Sequence, residues 1–122
     1  MPDPKHLRIL EKGVKTFNDG REKNPFIFTN LVKADLSGMD LSGANLSRVH
    51  LSEANLSEAD LSGADLRWAN LKMADLSRAN LKQVNLRDAR LCWANLRGVN
   101  LSRTDLSRAN INGVYLSGAV LN

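Results

Sequence analysis

The sequence has few aromatic residues, one cysteine and no long apolar run. Its 122 residues include 3 Phe, 2 Trp and 1 Tyr, so a core of large rings is excluded and the interior must be aliphatic. Cys92 is the single cysteine and cannot close an intramolecular disulfide, which fits a reducing compartment. No apolar run approaches the roughly 20 residues of a membrane span, and no signal-peptide hydrophobic stretch follows Met1. We therefore expect a cytoplasmic protein that does not contact a membrane.

The dominant feature is a repeat of five residues. From Leu31 to Leu121 every fifth residue is leucine, apart from Ile111, over nineteen successive positions. The residue two before each leucine is small or β-branched except at Met39, and the residue just before it is Asn or Asp in 15 of the 19 cases. A period of five fits neither regular element, because the leucines would spiral around a helix and alternate between the faces of a strand. A turn once per pentad lets every leucine face one interior, which predicts a solenoid with hydrogen-bonded coils.

The repeated motif Ala-Asn/Asp-Leu-Ser, as in residues 44–47, resembles the pentapeptide-repeat proteins over about residues 29–122. The resemblance implies an all-β solenoid, namely a right-handed quadrilateral β-helix with four pentads per coil and nearly five coils in all. We expect residues 1–25 to form an N-terminal capping helix and linker, and residues 26–122 to form the β-helix.

An amphipathic pattern near the N-terminus predicts the cap. Asp3-Pro4 is typical of a helix start, and Gly20 of a helix end, which predicts a helix over about residues 4–19. Gly13 should weaken this helix only slightly. Phe26 lies five residues before Leu31, so the register predicts that it starts the first coil. The apolar face expected to cover that coil consists of Leu7, Leu10, Val14 and Phe17.

The last two pentads depart from the polar rule. Tyr115 and Val120 occupy positions that elsewhere hold Asn or Asp. Together with Val114 and Leu121 they would give the last coil extra apolar surface, and exposed apolar coil edges tend to pair. This favours a homodimer through the C-terminal coil, as the resemblance also implies. A frayed terminus in a monomer is the alternative.

Residues twenty apart should stack in a column on one face if each coil has four pentads. On that basis both tryptophans and several arginines fall near one corner, and exposed Trp with Arg is typical of protein interaction surfaces. The alternative is that the rings lie flat on the solenoid, with arginines stacked on them for local stability. The candidate partner surface consists of Arg67, Trp68, Met73, Arg87, Arg90 and Trp93.

Charge and composition restrict the function further. Residues 31–65 carry a net charge of −4 and residues 66–122 a net charge of +6. Members of the family that act on type II topoisomerases mimic DNA and need a strongly acidic surface, so that role is disfavoured. Direct nucleic-acid binding is disfavoured as well, because the arginines are spread over all four faces. With 2 His and 1 Cys, we predict no catalytic site, cofactor or metal, and a binding or scaffold module for an unidentified protein partner.

Overall fold

The computed structural model describes residues 1–121, in which two short helices precede a β-solenoid. Helix α1 spans Pro4–Glu11 and helix α2 spans Val14–Lys23. The Asp3 side chain accepts a hydrogen bond from the Lys5 amide at 2.9 Å, which caps the first turn of α1. Neither helix within residues 1–121 is long and apolar enough to cross a bilayer.

The prediction of one helix over residues 4–19 was wrong. Gly13 has a φ of 114°, a conformation that a residue with a side chain rarely adopts, so it divides the segment into α1 and α2 instead of only weakening it. Gly20, predicted as the helix end, lies inside α2, which continues to Lys23. Helix α2 ends at Lys23 because Asn24 precedes Pro25. The proline ring clashes with the residue before it when that residue is helical. Leu10 and Phe17 are buried, while Leu7 and Val14 are partly buried against the same core.

Phe26 does not join the first coil, contrary to the register. Its side chain is 99% exposed, and the first residue bridged to a neighbouring coil is Asn30. The cause is the turn around Pro25, in which the Ile27 amide donates to the Asn24 carbonyl at 3.2 Å. Because of this turn, residues 26–28 lie outside the coils, and the repeat begins at Thr29.

The solenoid consists of single bridge residues separated by turns. Each bridge residue from Asn30 to Asn100, at steps of five, pairs in parallel with the residue twenty positions further on. Since each pentad supplies one bridge and one turn, four pentads make one coil. Leu51, for example, donates its amide to the Asn70 carbonyl at 2.8 Å, and the Asn70 amide donates to the Val49 carbonyl at 3.1 Å. Backbone hydrogen bonds therefore join each coil to the next along the whole rod.

The interior is the aliphatic stack that the repeat predicts. Every repeat leucine from Leu31 to Leu101 is at most 4% exposed. The alanine or valine two residues earlier points to the same side and is also buried from Val49 to Val99. Burial of each such leucine contributes about 1.5–3 kcal/mol, so this stack is the main source of stability.

In 15 of the 19 pentads the corner is built by the Asn or Asp before the leucine. Its side-chain oxygen accepts the amide of the residue two positions later, as from Ser57 to Asn55 at 3.0 Å. Where that later residue is serine, its hydroxyl donates to the same oxygen, at 2.6 Å in this pair. The residue after that has a left-handed φ, near 60° at Trp68 and Trp93, which explains why glycine is common there.

The helices hydrogen-bond to the first coil in place of a preceding one. The Asn30 amide donates to His6 Nδ1 at 2.9 Å, and the Asn45 amide donates to Asn18 Oδ1 at 2.7 Å. In later coils the equivalent amides donate to a carbonyl of the preceding coil. Arg21 donates to Thr29 Oγ1 at 3.2 Å and to the Ser47 carbonyl. The cap therefore supplies hydrogen-bond partners as well as an apolar cover.

The corner carboxylates should make stability depend on acid pH. Hydrogen bonds from Ser37, Ser42 and Ser107 hold the pKa of Asp35, Asp40 and Asp105 below the ordinary 3.8. A lowered pKa in the folded state stabilises the protein above pH 3.8, and that contribution is lost as the pH falls through the folded-state value.

Replacing these three aspartates by asparagine keeps the corner acceptor and removes the titration. We expect the melting temperature of the wild type to fall more steeply than that of the triple variant between about pH 4 and pH 2. Circular dichroism melts across this range measure the two slopes. If the melting temperatures of both proteins fell equally with pH, the serine hydrogen bonds would not lower the pKa of these aspartates in the folded state.

Candidate binding surface

Trp68 contacts two arginines on the outside of the rod. The Arg48 guanidinium carbon is 4.7 Å from the centroid of the indole, and that of Arg67 is 5.7 Å from it. Arg67 is itself held by Asp65, with Nη2 to Oδ2 at 2.8 Å and Nε to Oδ1 at 3.0 Å. The ring is 47% exposed, so it remains accessible although both arginines contribute to its local packing.

A groove of about 550 Å³ runs beside Trp68. It separates two columns of outward residues that flank the buried Ala69 and its equivalents in other coils. The Phe28 and His50 rings meet at one end, with their centroids 5.8 Å apart. The groove is lined by Phe28, Arg48, His50, Trp68, Asn70, Asp88 and Arg90.

The groove unites two residues of the predicted partner surface, Trp68 and Arg90. Phe28, Arg48 and His50 were not in that set. The repeat carries a signal for Arg48, which lies one coil before Trp68 in the same column. It carries none for Phe28, because the linker before Thr29 leaves the repeat.

Met73 and Trp93 form a separate apolar strip on the next face. They lie one coil apart in one column and are 52% and 59% exposed. The Trp93 ring lies against Gly113 in the following coil, where a Cβ would come within 2.5 Å of Trp93 Cε3. Glycine at position 113 therefore leaves the space that the indole occupies. Arg87, the remaining residue of the predicted set, is exposed one coil after Arg67.

The predicted C-terminal contact residues differ in exposure. Val114 is partly buried against the core, whereas Val120 and Leu121 are 46% and 67% exposed. Tyr115 is 48% exposed, and the Arg97 guanidinium carbon lies 4.7 Å from its ring centroid. The last described coil thus presents core leucines and outward apolar residues together.

The carboxylates and hydroxyls of the corners are engaged in the architecture. Within residues 1–121, no three His, Cys, Asp or Glu side chains come together in a way that could hold a metal ion. The corner serines donate to the neighbouring Asn or Asp, as Ser62 does to Asp60 at 2.7 Å.

The family profile for pentapeptide repeats matches residues 26–57, 44–83 and 85–122, in eight copies. This chain is a pentapeptide-repeat protein. No curated protein matches it in sequence. Among solved structures, the pentapeptide-repeat protein Rfr23 from the cyanobacterium Cyanothece 51142 is 37% identical, with a TM-score of 0.73 over 74% of this chain and 62% of that chain. A pentapeptide-repeat protein of the Arabidopsis thaliana thylakoid lumen is 32% identical, with a TM-score of 0.65 over 66% of this chain and 56% of that chain. This pentapeptide-repeat chain therefore spans less than two thirds of the length of either.

Proposed function

We propose that this protein is a non-catalytic interaction module, a right-handed quadrilateral β-helix that presents a protein-binding surface. The four pentads per coil support the square section, and the family resemblance supports the handedness. The commitment of the serine hydroxyls to corner hydrogen bonds supports a role without catalysis. A cytoplasmic location stays a prediction, since one similar structure is that of a thylakoid-lumen protein.

The observation that carries the proposal is the strip formed by Met73 and Trp93. Exposed Trp is enriched at the centres of protein interfaces, where it buries a large area at little entropic cost. Among the cation–π pairs in residues 1–121, Trp93 takes part in none, whereas Trp68 has two arginines. Local stacking thus accounts for Trp68 better than for Trp93.

The charge pattern supports a protein partner over a nucleic acid. The net charge of +6 over residues 66–122 follows a segment of −4 over residues 31–65. In the basic half, Arg67 and Arg108 pair with Asp65 and Asp88. A phosphate backbone needs a continuous cationic track, which this alternation does not offer. DNA mimicry against a topoisomerase needs a strongly acidic surface, so this charge pattern disfavours that role as well.

The test removes the ring without disturbing the coil. Trp93 has a φ of 63°, so Trp93→Gly places a residue there that adopts this conformation freely. We expect affinity capture with Trp93→Gly to lose the partner that the wild type retains. Quantitative mass spectrometry of the captured proteins measures the loss.

Gln83→Gly is the matched control, because Gln83 has a φ of 60° and lies two faces away from the strip. It should retain the same partner. If Trp93→Gly captured every protein as well as Gln83→Gly does, the strip would not be the binding surface.

We propose secondly that two copies of the chain pair through the last described coil. In it Ile111, Leu116 and Leu121 are 41–67% exposed, unlike the buried leucines of earlier coils. Within the described chain, the Leu96 and Leu101 amides donate to Tyr115 and Val120, but the amides of Ile111 and Leu116 have no equivalent acceptor. Pairing would cover this apolar surface and these donors together.

Light scattering of the wild type should therefore give twice the chain mass of 13.5 kDa. Tyr115→Asn with Val120→Asn restores the usual corner residues, so the coil should persist while the pair dissociates to single chains. A monomeric wild type would contradict the pairing. If the double variant were still a dimer, the two chains would pair through another surface.

A further inference from the structure

Two positions of the groove break the corner rule in the same column. Fifteen of nineteen corner positions hold Asn or Asp, and two of the four exceptions are His50 and Arg90. Both line the groove. At His50 the ring Nε2 lies 3.1 Å from the Ser52 hydroxyl, but the imidazole does not accept the amide two residues on, as Asn70 does from Lys72 at 3.1 Å. Two corner hydrogen bonds are thus missing where the side chains converge.

The polar groups of the groove are mostly hydrogen-bond donors. Arg48 and Arg90 present guanidinium groups, which have no acceptor capacity. The Asn70 oxygen accepts the Lys72 amide, and within residues 1–121 the Asn70 NH₂ donates to no other group. A ligand for this groove must supply acceptors.

The charge inside the groove is not neutralised by its one carboxylate. Asp88 is held from outside by Arg108, with Nε to Oδ1 at 3.1 Å and Nη2 to Oδ2 at 3.2 Å. Within residues 1–121, Arg48 and Arg90 form no salt bridge, in contrast to Arg67 and Arg108. Stacking on Trp68 holds Arg48 by its face, which leaves the N–H groups at the guanidinium edge free.

We propose that this groove binds the phosphate group of a phosphate monoester through Arg48 and Arg90, with the Asn70 amide as a further donor. A phosphate monoester carries a charge of about −1.5 to −2 and three acceptor oxygens. Two guanidinium groups complement that charge, and a carboxylate would leave one of them unmatched. The Trp68 and Phe28 rings flank the groove and would pack against the organic part of the ester. This proposal can be tested separately from the proposed protein partner, because its probes are inorganic phosphate and phosphate esters.

The test uses Trp68 as the reporter. Trp93→Phe leaves it as the single tryptophan, so fluorescence titration with inorganic phosphate, 5′-AMP and phosphotyrosine reads the groove directly. We expect saturable changes in emission, with tighter binding of an ester than of inorganic phosphate if the rings contact its organic part. If the esters and inorganic phosphate bound with equal affinity, the groove would recognise the phosphate group alone. Both results support the phosphate site.

The decisive variant is Arg90→Asn, made in the same background. It restores the usual corner residue, so we expect it to melt at or above the parent temperature and to bind at least about tenfold more weakly. Arg48→Gln is the second variant, because Gln83 shows that glutamine tolerates the same left-handed backbone. Arg103→Gln is the matched control: Arg103 has a left-handed φ of 57° and does not line the groove, so the variant removes the same charge and should retain the parent affinity.

Two results would overturn the proposal. One is the absence of saturation with all three probes up to roughly 1 mM, the weak end of specific affinity. The other is an equal loss in Arg103→Gln and Arg90→Asn, which would show a response to net charge rather than to the groove.

Discussion

The width of the interior is the constraint on which the rest of the structure depends. Backbone bonds between residues twenty apart fix the spacing of the coils, and the space they enclose accommodates leucine and small side chains only. Within the coils, large rings are therefore forced outward: Trp68 and Trp93 occupy left-handed residues, and Tyr115 occupies a corner position. The exposed Trp68 and Trp93 follow from the same geometry that buries the leucines.

The N-terminal helices show how an open coil edge is closed. His6 and Asn18 accept the amides that a preceding coil would bind, while Leu10 and Phe17 cover the leucine stack. No element within residues 1–121 packs over the last described coil, in which Leu116 and Leu121 are 41% and 67% exposed. This exposed apolar surface is the ground for proposing that copies of the chain pair there.

The repeat predicted most of the architecture, because a five-residue period with turn residues allows few solutions. It predicted the buried leucines and alanines, whereas the stacking of residues twenty apart was predicted from the resemblance to the pentapeptide-repeat proteins. It failed where the chain leaves the repeat: Gly13 divides the cap, and the turn at Pro25 exposes Phe26. The groove was missed for another reason. The stacking of residues twenty apart puts Trp68 in one column with Arg48, and His50 in another column with Arg90. The space between these two columns becomes visible only in the folded structure.

The most direct test of the inward register of the leucines is the deletion of one whole coil, compared with a deletion that breaks the five-residue period. Removal of residues 52–71 joins Leu51 to Lys72 and keeps every remaining leucine inward. Removal of residues 52–69, two residues fewer, shifts the register of everything that follows. Circular dichroism and calorimetry should show a cooperative unfolding transition for the longer deletion and none for the shorter one. Similar melting of both variants would contradict a five-residue register that points every leucine into one interior.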